Sequence, residues 1–198
     1  LSGGYCPYRK GDLWKVNNPL AQTAEFLAYD GAGRALASKD ANGVVTHLEY
    51  DLRGRLAAQK VRGSDDSVET DDRITRFEYT PSGSASKITL PDGTYTRFTY
   101  DSALRLTDIT DNVGDVMHFT LDAAGNPKQE DIKAGGTTLR KTLSRTFNAL
   151  GQLDALKDAS QNATAFRYDL AGNPDRVTDA LGRKTDQTHD PLGRLKRI

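Results

Sequence analysis

The 198-residue sequence predicts an all-β protein, built as a meander of antiparallel hairpins. The acidic residues are 22 Asp and only 5 Glu, and Asp favours turns whereas Glu favours helices. A second observation is a motif that recurs at a fixed interval, and a third is the alternation of side chains between its turns. Together the three observations argue against a mainly helical fold.

Composition excludes several classes of function. The 27 basic and 27 acidic residues cancel, and a protein that neutralises phosphates usually has a basic stripe, so no nucleic-acid partner is expected. A single cysteine, Cys6, excludes an internal disulfide framework and cannot by itself form a four-ligand zinc site. No apolar run approaches the roughly 20 residues that cross a bilayer, so this segment is not expected to insert into a membrane. The start of the chain resembles no signal peptide, and we expect a soluble piece of a longer protein.

Each repeat unit begins with a head, in most cases an aromatic residue followed by Asp or Asn. Successive heads are separated by 21, 29, 21, 21, 26, 21 and 21 residues. The eight heads begin at Tyr29, Tyr50, Tyr79, Tyr100, Leu121, Phe147, Tyr168 and His189. We therefore expect a repeat array over residues 14–198 that ends inside a unit, preceded by a lead-in segment at 1–13 that lies outside the pattern.

Two turns are predicted in every unit. A glycine stands four residues after each head, except that Leu104 replaces it in one unit, and a second turn such as Asp40-Ala41-Asn42-Gly43 recurs near the middle of the unit. In the pattern Asp-x-x-Gly the carboxylate accepts a backbone N–H two residues on, and glycine supplies the positive φ that closes the turn. The head turns thus assign structural roles to Tyr29, Asp30, Gly33, Tyr50, Asp51, Gly54, Tyr79, Gly83, Tyr100, Asp101, Asp122, Gly125, Gly151, Tyr168, Asp169, Gly172, Asp190 and Gly193.

The segments between turns have the side-chain period of strands. In residues 94–100, Thr94, Thr96, Phe98 and Tyr100 alternate with the other side chains and share one face. Aromatic residues two positions before a head and at the head itself fall on this face in unit after unit. We expect them to stack in columns that stabilise the sheet.

Three stretches depart from the 21-residue pattern. Residues 62–72 are polar and acidic, and residues 132–138 are glycine-rich; both are expected to be longer exposed hairpin tips and not domain boundaries. Residues 139–145 fit a strand or a helical turn nearly equally. Residues 14–28 fit the later part of a unit with a slip of one residue.

The unit Tyr50-Asp51-Leu52-Arg53-Gly54-Arg55-Leu56 resembles the YD repeat of the Rhs family, and the resemblance extends over residues 14–198. It implies part of a curved, spiralling hollow β shell, as in Rhs proteins, the B and C components of Tc toxins, and teneurins. In bacterial members the shell encloses a C-terminal toxin that is released after delivery by a contractile (type VI) secretion system or a translocation pore. The Asp190-Pro191-Leu192-Gly193 sequence continues into Arg194 and another strand, so it resembles a head and not the family's autoprotease region.

The resemblance implies a structural shell segment of a secreted toxin, made in the bacterial cytoplasm and then exported. Its expected partners are an enclosed toxin domain and other repeat segments of the same shell, or a second copy that pairs with an open edge strand. The alternative is a surface-exposed adhesion or carbohydrate-binding module, in which the loops at 62–72 and 132–138 and Tyr95 would make the contacts.

Active-site interpretations are weaker. His47, His118 and His189 are too far apart along a regular sheet to share a metal. The head aspartates would lie about 9.6 Å apart, too far to share a proton. A glycosidase-like pair, with carboxylates roughly 6.5–9.5 Å apart, stays open as an alternative, but turn capping accounts for all of these aspartates at once. Arg34, Arg55, Arg105 and Arg194 follow the turn position directly, and ion pairs at the sheet edge are expected for them. The sequence therefore predicts no enzyme, no cofactor and no metal site.

Overall fold

A computed structural model describes residues 10–64 and 68–198, which form eighteen β-strands and no helix. Residues 1–9 of the predicted lead-in, with Cys6, lie outside the described residues, as do residues 65–67 of the acidic insertion. The strands are β1 Lys15–Asn17, β2 Thr23–Tyr29, β3 Ala35–Lys39, β4 Val45–Tyr50, β5 Leu56–Val61, β6 Arg73–Tyr79, β7 Ala85–Thr89, β8 Tyr95–Tyr100, β9 Leu106–Asp111, β10 Val116–Leu121, β11 Pro127–Ala134, β12 Thr138–Phe147, β13 Leu153–Asp158, β14 Ala163–Tyr168, β15 Pro174–Thr178, β16 Lys184–Asp186, β17 Thr188–His189 and β18 Leu195–Arg197.

The strands follow chain order in the sheet. β1 to β16 form one sixteen-stranded sheet in which each strand is hydrogen-bonded to the next, and β17 pairs with β18 in a second sheet. The predicted all-β, antiparallel meander is confirmed. The chain divides into two compact units, Leu1–Thr96 and Arg97–Ile198.

One turn geometry recurs along the whole described chain. The N–H of the first turn residue donates to the carbonyl of the fifth, and the N–H of the fourth donates to the carbonyl of the first. The fourth residue always has positive φ, which an L-residue adopts at a cost and glycine does not. It is glycine in eleven turns, and Ala21, Leu104 and Gln161 hold the same position in the other three.

Head turns and mid-unit turns differ in the strand that follows them. Seven head hairpins have a register shift beside the head residue, so that one residue of the outgoing strand has no partner. Of the seven mid-unit hairpins with a defined register, six keep it unbroken, and the seventh, β11–β12, which carries the insertion, has one bulge. A β-bulge bends its strand and increases the local twist. Apart from the insertion in β11 and β12, the repeat therefore places its bends at the head ends of the hairpins.

In the first compact unit, Leu1–Thr96, the hydrophobic core is small. Tyr29, Ala37 and Ala58 are its buried hydrophobic residues. The predicted one-residue slip near the start is a second bulge in β2, because Phe26 pairs with Ser38 and Ala28 with Ala37, which leaves Leu27 without a partner in β3. The acidic insertion folds back on the sheet, since Glu69 pairs with the buried Lys60 of β5.

In the second unit the glycine-rich insertion is not a long loop, which corrects the expectation for residues 132–138. The extra residues lengthen β11 to eight residues and β12 to ten, and only a short turn at Gly135 and Gly136 separates them. Residues 139–145 lie within β12, so the strand alternative is the correct one. Pairing continues because Lys133 lies opposite Leu139 across a bulge, and each added pair supplies its own ladder bonds.

The two faces of the sheet have different chemistry, as the alternation predicted. Apolar residues pair across strands on one face, with Phe77 opposite Ile88 and Phe166 opposite Val177. Charged residues pair on the other face, where Glu78 lies opposite Lys87. Among the described residues no large side chain is fully buried, so the sheet is a single layer.

Candidate functional site: the head turns

The head turn is the feature that the sequence repeats most faithfully, and in the first head turn both oxygens of the carboxylate are hydrogen-bonded. Asp30 Oδ1 accepts the N–H groups of Ala32 and Arg34, each at 2.9 Å. Asp30 Oδ2 accepts the Arg34 Nε–H at 2.6 Å and forms an ion pair with the same guanidinium. The carboxylate thus closes the turn and holds the arginine that follows the glycine.

The same pattern occurs with other residue types. Arg55, Arg105 and Arg194 bind the head carboxylates of their own turns. Amides take over elsewhere: Asn126 donates to Asp122, Asn173 donates to Asp169, and Asn148 donates to Gln152. In the third turn Thr80 Oγ1 accepts the N–H of Ser84. Because a neutral side chain can occupy the head position, the turn does not require the carboxylate charge.

The electrostatics of the head aspartates are those of turn caps. The N–H of Arg55 donates to Asp51 and lowers the pKa of that carboxyl, and the Arg55 side chain lowers it further. The pKa of Asp101 is lowered chiefly by the N–H of Arg105, and that of Asp122 by the Asn126 side chain. These carboxylates are therefore ionised at neutral pH with their oxygens already hydrogen-bonded, which is the opposite of what a general acid needs.

Head tyrosines connect each repeat unit to the preceding repeat unit. The hydroxyl of Tyr50 donates to the carbonyl of Ala35 at 3.0 Å, and that of Tyr79 donates to Leu56 at 2.7 Å. In the second unit the Tyr168 hydroxyl donates to Leu153 at 2.9 Å. Each acceptor lies six residues after the preceding head, so the link has the period of the repeat.

The arginine at the end of a head turn reaches the following repeat unit. The sequence did not lead us to expect this contact. The Arg34 guanidinium lies 4.6 Å from the centroid of the Tyr50 ring, and that of Arg55 lies 4.3 Å from the Tyr79 ring. In the second unit Arg105 Nη1 donates to the carbonyl of Asp122 at 3.0 Å. The predicted ion pairs exist, but they lie within single turns, and the remaining guanidinium surface contacts the next head. The signal was present in the recurrence of a long polar side chain at that position.

The acidic insertion contains an ion-pair network that the sequence did not indicate. Lys60, whose side chain is 9% exposed, bridges Glu49 of β4 and Glu69 of the insertion. Arg62 pairs with Asp72, and these two side chains are 7% and 0% exposed. The insertion is therefore anchored at both ends by buried charges.

The histidines do not converge. His118 Nδ1 lies 2.7 Å from Asp108 Oδ1 on the polar face, and Asp131 on the next strand accepts hydrogen bonds from Thr142 and Gln129. His189 borders a shallow cleft between the turns that begin at Asp169 and Asp190. No group of three or more His, Cys, Asp or Glu side chains in the described ranges is arranged to hold a metal ion. No helix capable of spanning a membrane is found there either.

Of the groups named for the adhesion alternative, the segment at 132–138 is placed differently from that expectation. Residues 132–134 belong to β11, and the Lys87 ammonium lies 4.8 Å from the centroid of the Tyr95 ring, which is half-buried. The segment at 132–138 therefore does not form the contact loop that this alternative expects, whereas Tyr95 lies in a strand as predicted.

Comparison with known proteins agrees with this repeat. A model of the teneurin YD-shell family matches residues 10–127. Toxin protein Tse5 of Pseudomonas aeruginosa is 31% identical over an alignment of 198 positions, which covers 91% of this chain and 15% of that protein.

Solved structures are similar in fold. The TcdB2-TccC3-Cdc42 structure covers 86% of this chain with a TM-score of 0.70 and 16% identity. TcdB2-TccC3 without its hypervariable C-terminal region covers 89% at a TM-score of 0.70 and 16% identity. A TccC3 variant of the Photorhabdus luminescens Tc holotoxin pore covers 85% at 0.69 and 17% identity. This chain spans 10% of each of these chains.

Proposed function

Because the chain belongs to the teneurin YD-shell family, we propose that it is a wall segment of a hollow β shell that encloses a C-terminal toxin domain before secretion or translocation. In this role the chain is structural and not enzymatic, and the toxin it would enclose lies outside these 198 residues. The similarity to a toxin protein and to the structure of a Tc holotoxin pore supports an exported product.

The observation that carries the proposal is the one-sided placement of the bulges. A bulge adds a residue to the outgoing strand at seven head hairpins, whereas six mid-unit hairpins keep their register and only the β11–β12 hairpin, which carries the insertion, is a bulged mid-unit hairpin among those with a defined register. Bends that recur at the same end of successive hairpins add up in one direction, as a curved wall requires.

Burial supports a wall over a compact domain. Among the described residues the buried hydrophobic ones are Tyr29, Ala37 and Ala58, and no large side chain is fully buried, whereas a compact domain has a packed core. A single-layer sheet leaves both faces accessible, and its aromatic face stays half-exposed unless something covers it. An enclosed domain would supply that cover.

Limited proteolysis of the complete protein that contains this chain tests the proposal. A specific protease site is inserted at the fully exposed turn tip at Leu52, and in a second variant the same site is placed in the region downstream of the repeats. We expect rapid cleavage at Leu52 and none downstream until denaturant opens the shell. Equal cleavage rates at the two sites in the native protein would refute enclosure.

Flanking coding sequence separates this function from the adhesion alternative. A variable toxin with an immunity gene downstream is expected, whereas a membrane anchor with adhesion repeats would favour the alternative. The result is independent of the proteolysis experiment.

A further inference from the structure

In the second compact unit, Arg97–Ile198, the tips of the head turns are apolar, although turn tips usually are not. The two central residues of a type I turn are solvent-exposed and are often polar or Pro. In the second unit nine of these ten positions are Ala, Leu or Pro, and all ten are exposed. We call them the head tips; they are Ser102, Ala103, Ala123, Ala124, Ala149, Leu150, Leu170, Ala171, Pro191 and Leu192.

The leucines among them are more exposed than folding explains. Leu150 is 83% exposed, Leu170 110% and Leu192 77%. None of the three contributes to the sheet, and Ser or Asn would suit the turn better. A contiguous row of exposed aliphatic side chains is typical of an interaction surface, whereas a single exposed leucine is not.

The head tips form a row because consecutive head turns are in contact. A Cβ built on Gly172 would lie 3.3 Å from Gln152 Nε2 of the preceding head turn. A Cβ built on Gly193 would likewise lie 3.1 Å from Asn173 Oδ1. Two strands separate successive head turns, so the row advances about 9.6 Å per turn, or about 38 Å over its four steps.

Charge on this row is low. The Asp101–Arg105 and Asp190–Arg194 pairs are internally neutral, and the Asn148–Gln152 turn carries no charge. The carboxylates of Asp122 and Asp169 are held by the N–H groups and amide side chains of their own turns. An apolar partner would therefore leave few charges without solvation.

We propose that the head tips of the second unit are a docking surface for the head tips of a second copy of this chain. A row with one pitch is complementary to itself, because a two-fold axis brings the leucines of one row into the gaps of the other. The tips at the opposite ends of the hairpins fit less well. They include Val113 and Leu181, but also Asn112, Ser160 and the two glycines of the turn between β11 and β12. This inference does not depend on an enclosed cargo.

The expected affinity is low. A row about 38 Å long and about 10 Å wide buries roughly 800 Å² in total, below the range of about 1,200–2,000 Å² for stable complexes. Association should therefore be visible only at high protein concentration, and it should stop at the dimer because the contact is closed by its symmetry.

Sedimentation equilibrium of the 198-residue chain, from about 20 μM to about 1 mM, measures this association. The parent is expected to approach twice its 21.6 kDa mass at the highest concentrations. The triple variant Leu150→Ser, Leu170→Ser, Leu192→Ser should remain monomeric, and serine at turn positions preserves the fold. The matched control Val113→Ser with Leu181→Ser, also 72% and 78% exposed, should associate like the parent.

Other results overturn the proposal. A parent that stays monomeric at every concentration refutes it, as does growth beyond the dimer or association that survives in the triple variant, since these point to the open strand edges. An equal loss of association in the control variant with Val113→Ser and Leu181→Ser refutes the head-to-head arrangement. Far-UV circular dichroism verifies folding, and Leu170→Asp, which changes one exposed residue, replaces the triple variant if that variant unfolds.

Discussion

Arg34 of one head turn lies directly against the α-carbon of Gly54 in the next. A Cβ at Gly54 would lie 2.3 Å from Arg34 Nη1, although the same guanidinium also pairs with Asp30 and covers the Tyr50 ring. Glycine is therefore favoured here for two reasons, its positive φ of 80° and the room it leaves to the preceding arginine.

A comparison of Gly33 with Gly54 separates the effect of backbone strain from that of the arginine contact. Both have a φ of 80°, but nothing lies within 4 Å of a Cβ at Gly33. We expect Gly33→Ala to lower the free energy of unfolding by about 1–2 kcal/mol through backbone strain alone, and Gly54→Ala to lower it further. Urea unfolding measures both. In a double-mutant cycle Arg34→Ala should reduce the cost of Gly54→Ala and leave that of Gly33→Ala unchanged; strict additivity would contradict the contact.

Leu104 is strained at the position that other heads give to glycine. Its φ is 62° and its side chain is 56% exposed, so the leucine gains little from packing. Leu104→Gly should raise the free energy of unfolding by about 0.5–1 kcal/mol, because relief of strain exceeds the added entropy of the unfolded chain. Ala103→Gly in the same turn is the control and should destabilise. Thermal or urea midpoints that move in the same direction for both variants would disprove the strain argument.

The buried pair of Arg62 and Asp72 should contribute more than the exposed pair of Lys15 and Glu25. Asp72→Ala leaves a buried guanidinium without its main partner and should cost about 3 kcal/mol, whereas Lys15→Ala, in a pair that is 35% and 36% exposed, should change stability by less than about 1 kcal/mol. Urea unfolding of each variant is the measurement. Similar small losses in both would show that the insertion is not anchored by this pair.

Stability should fall in acid because the head aspartates have lowered pKa values. The pKa of Asp169 is lowered chiefly by the N–H of Asn173, so the unfolded chain binds protons at this site before the folded chain does. The stabilisation is present above the unfolded value of about 3.9 and is lost as pH falls below it through the folded value. Asp169→Asn, which reproduces the natural amide of Asn148, should show a smaller fall in urea midpoint between about pH 5 and about pH 2. A fall as steep as that of the parent would exclude the contribution of Asp169.

Much of the fold could be predicted because the repeat is written in local chemistry. A turn of the form Asp-x-x-Gly closes on its own five residues, and strand alternation needs only neighbouring side chains, so head positions, turns and the meander followed from the sequence. The slip before Tyr29 was visible as an extra residue, but the bulge at Leu27 that absorbs it required the pairing with β3.

Longer-range contacts could not be predicted in the same way. The insertion at 132–138 resembled a loop by its glycines, yet pairing between β11 and β12 recruited those residues into strands because each ladder bond lowers the free energy of an otherwise exposed backbone. The reach of Arg34 to Gly54, 20 residues on, and the burial of Asp72 against Arg62 depend on which strands become neighbours.

By itself, then, the sequence determined the repeat, the single turn geometry and the antiparallel order of the strands, since each of these arises within about twenty residues of chain. Only the tertiary structure decided where the bulges lie, which guanidinium packs on which head, and which leucines remain exposed at the head tips. Those features depend on the register between strands, and register is set by the fit of whole faces and not by any one residue.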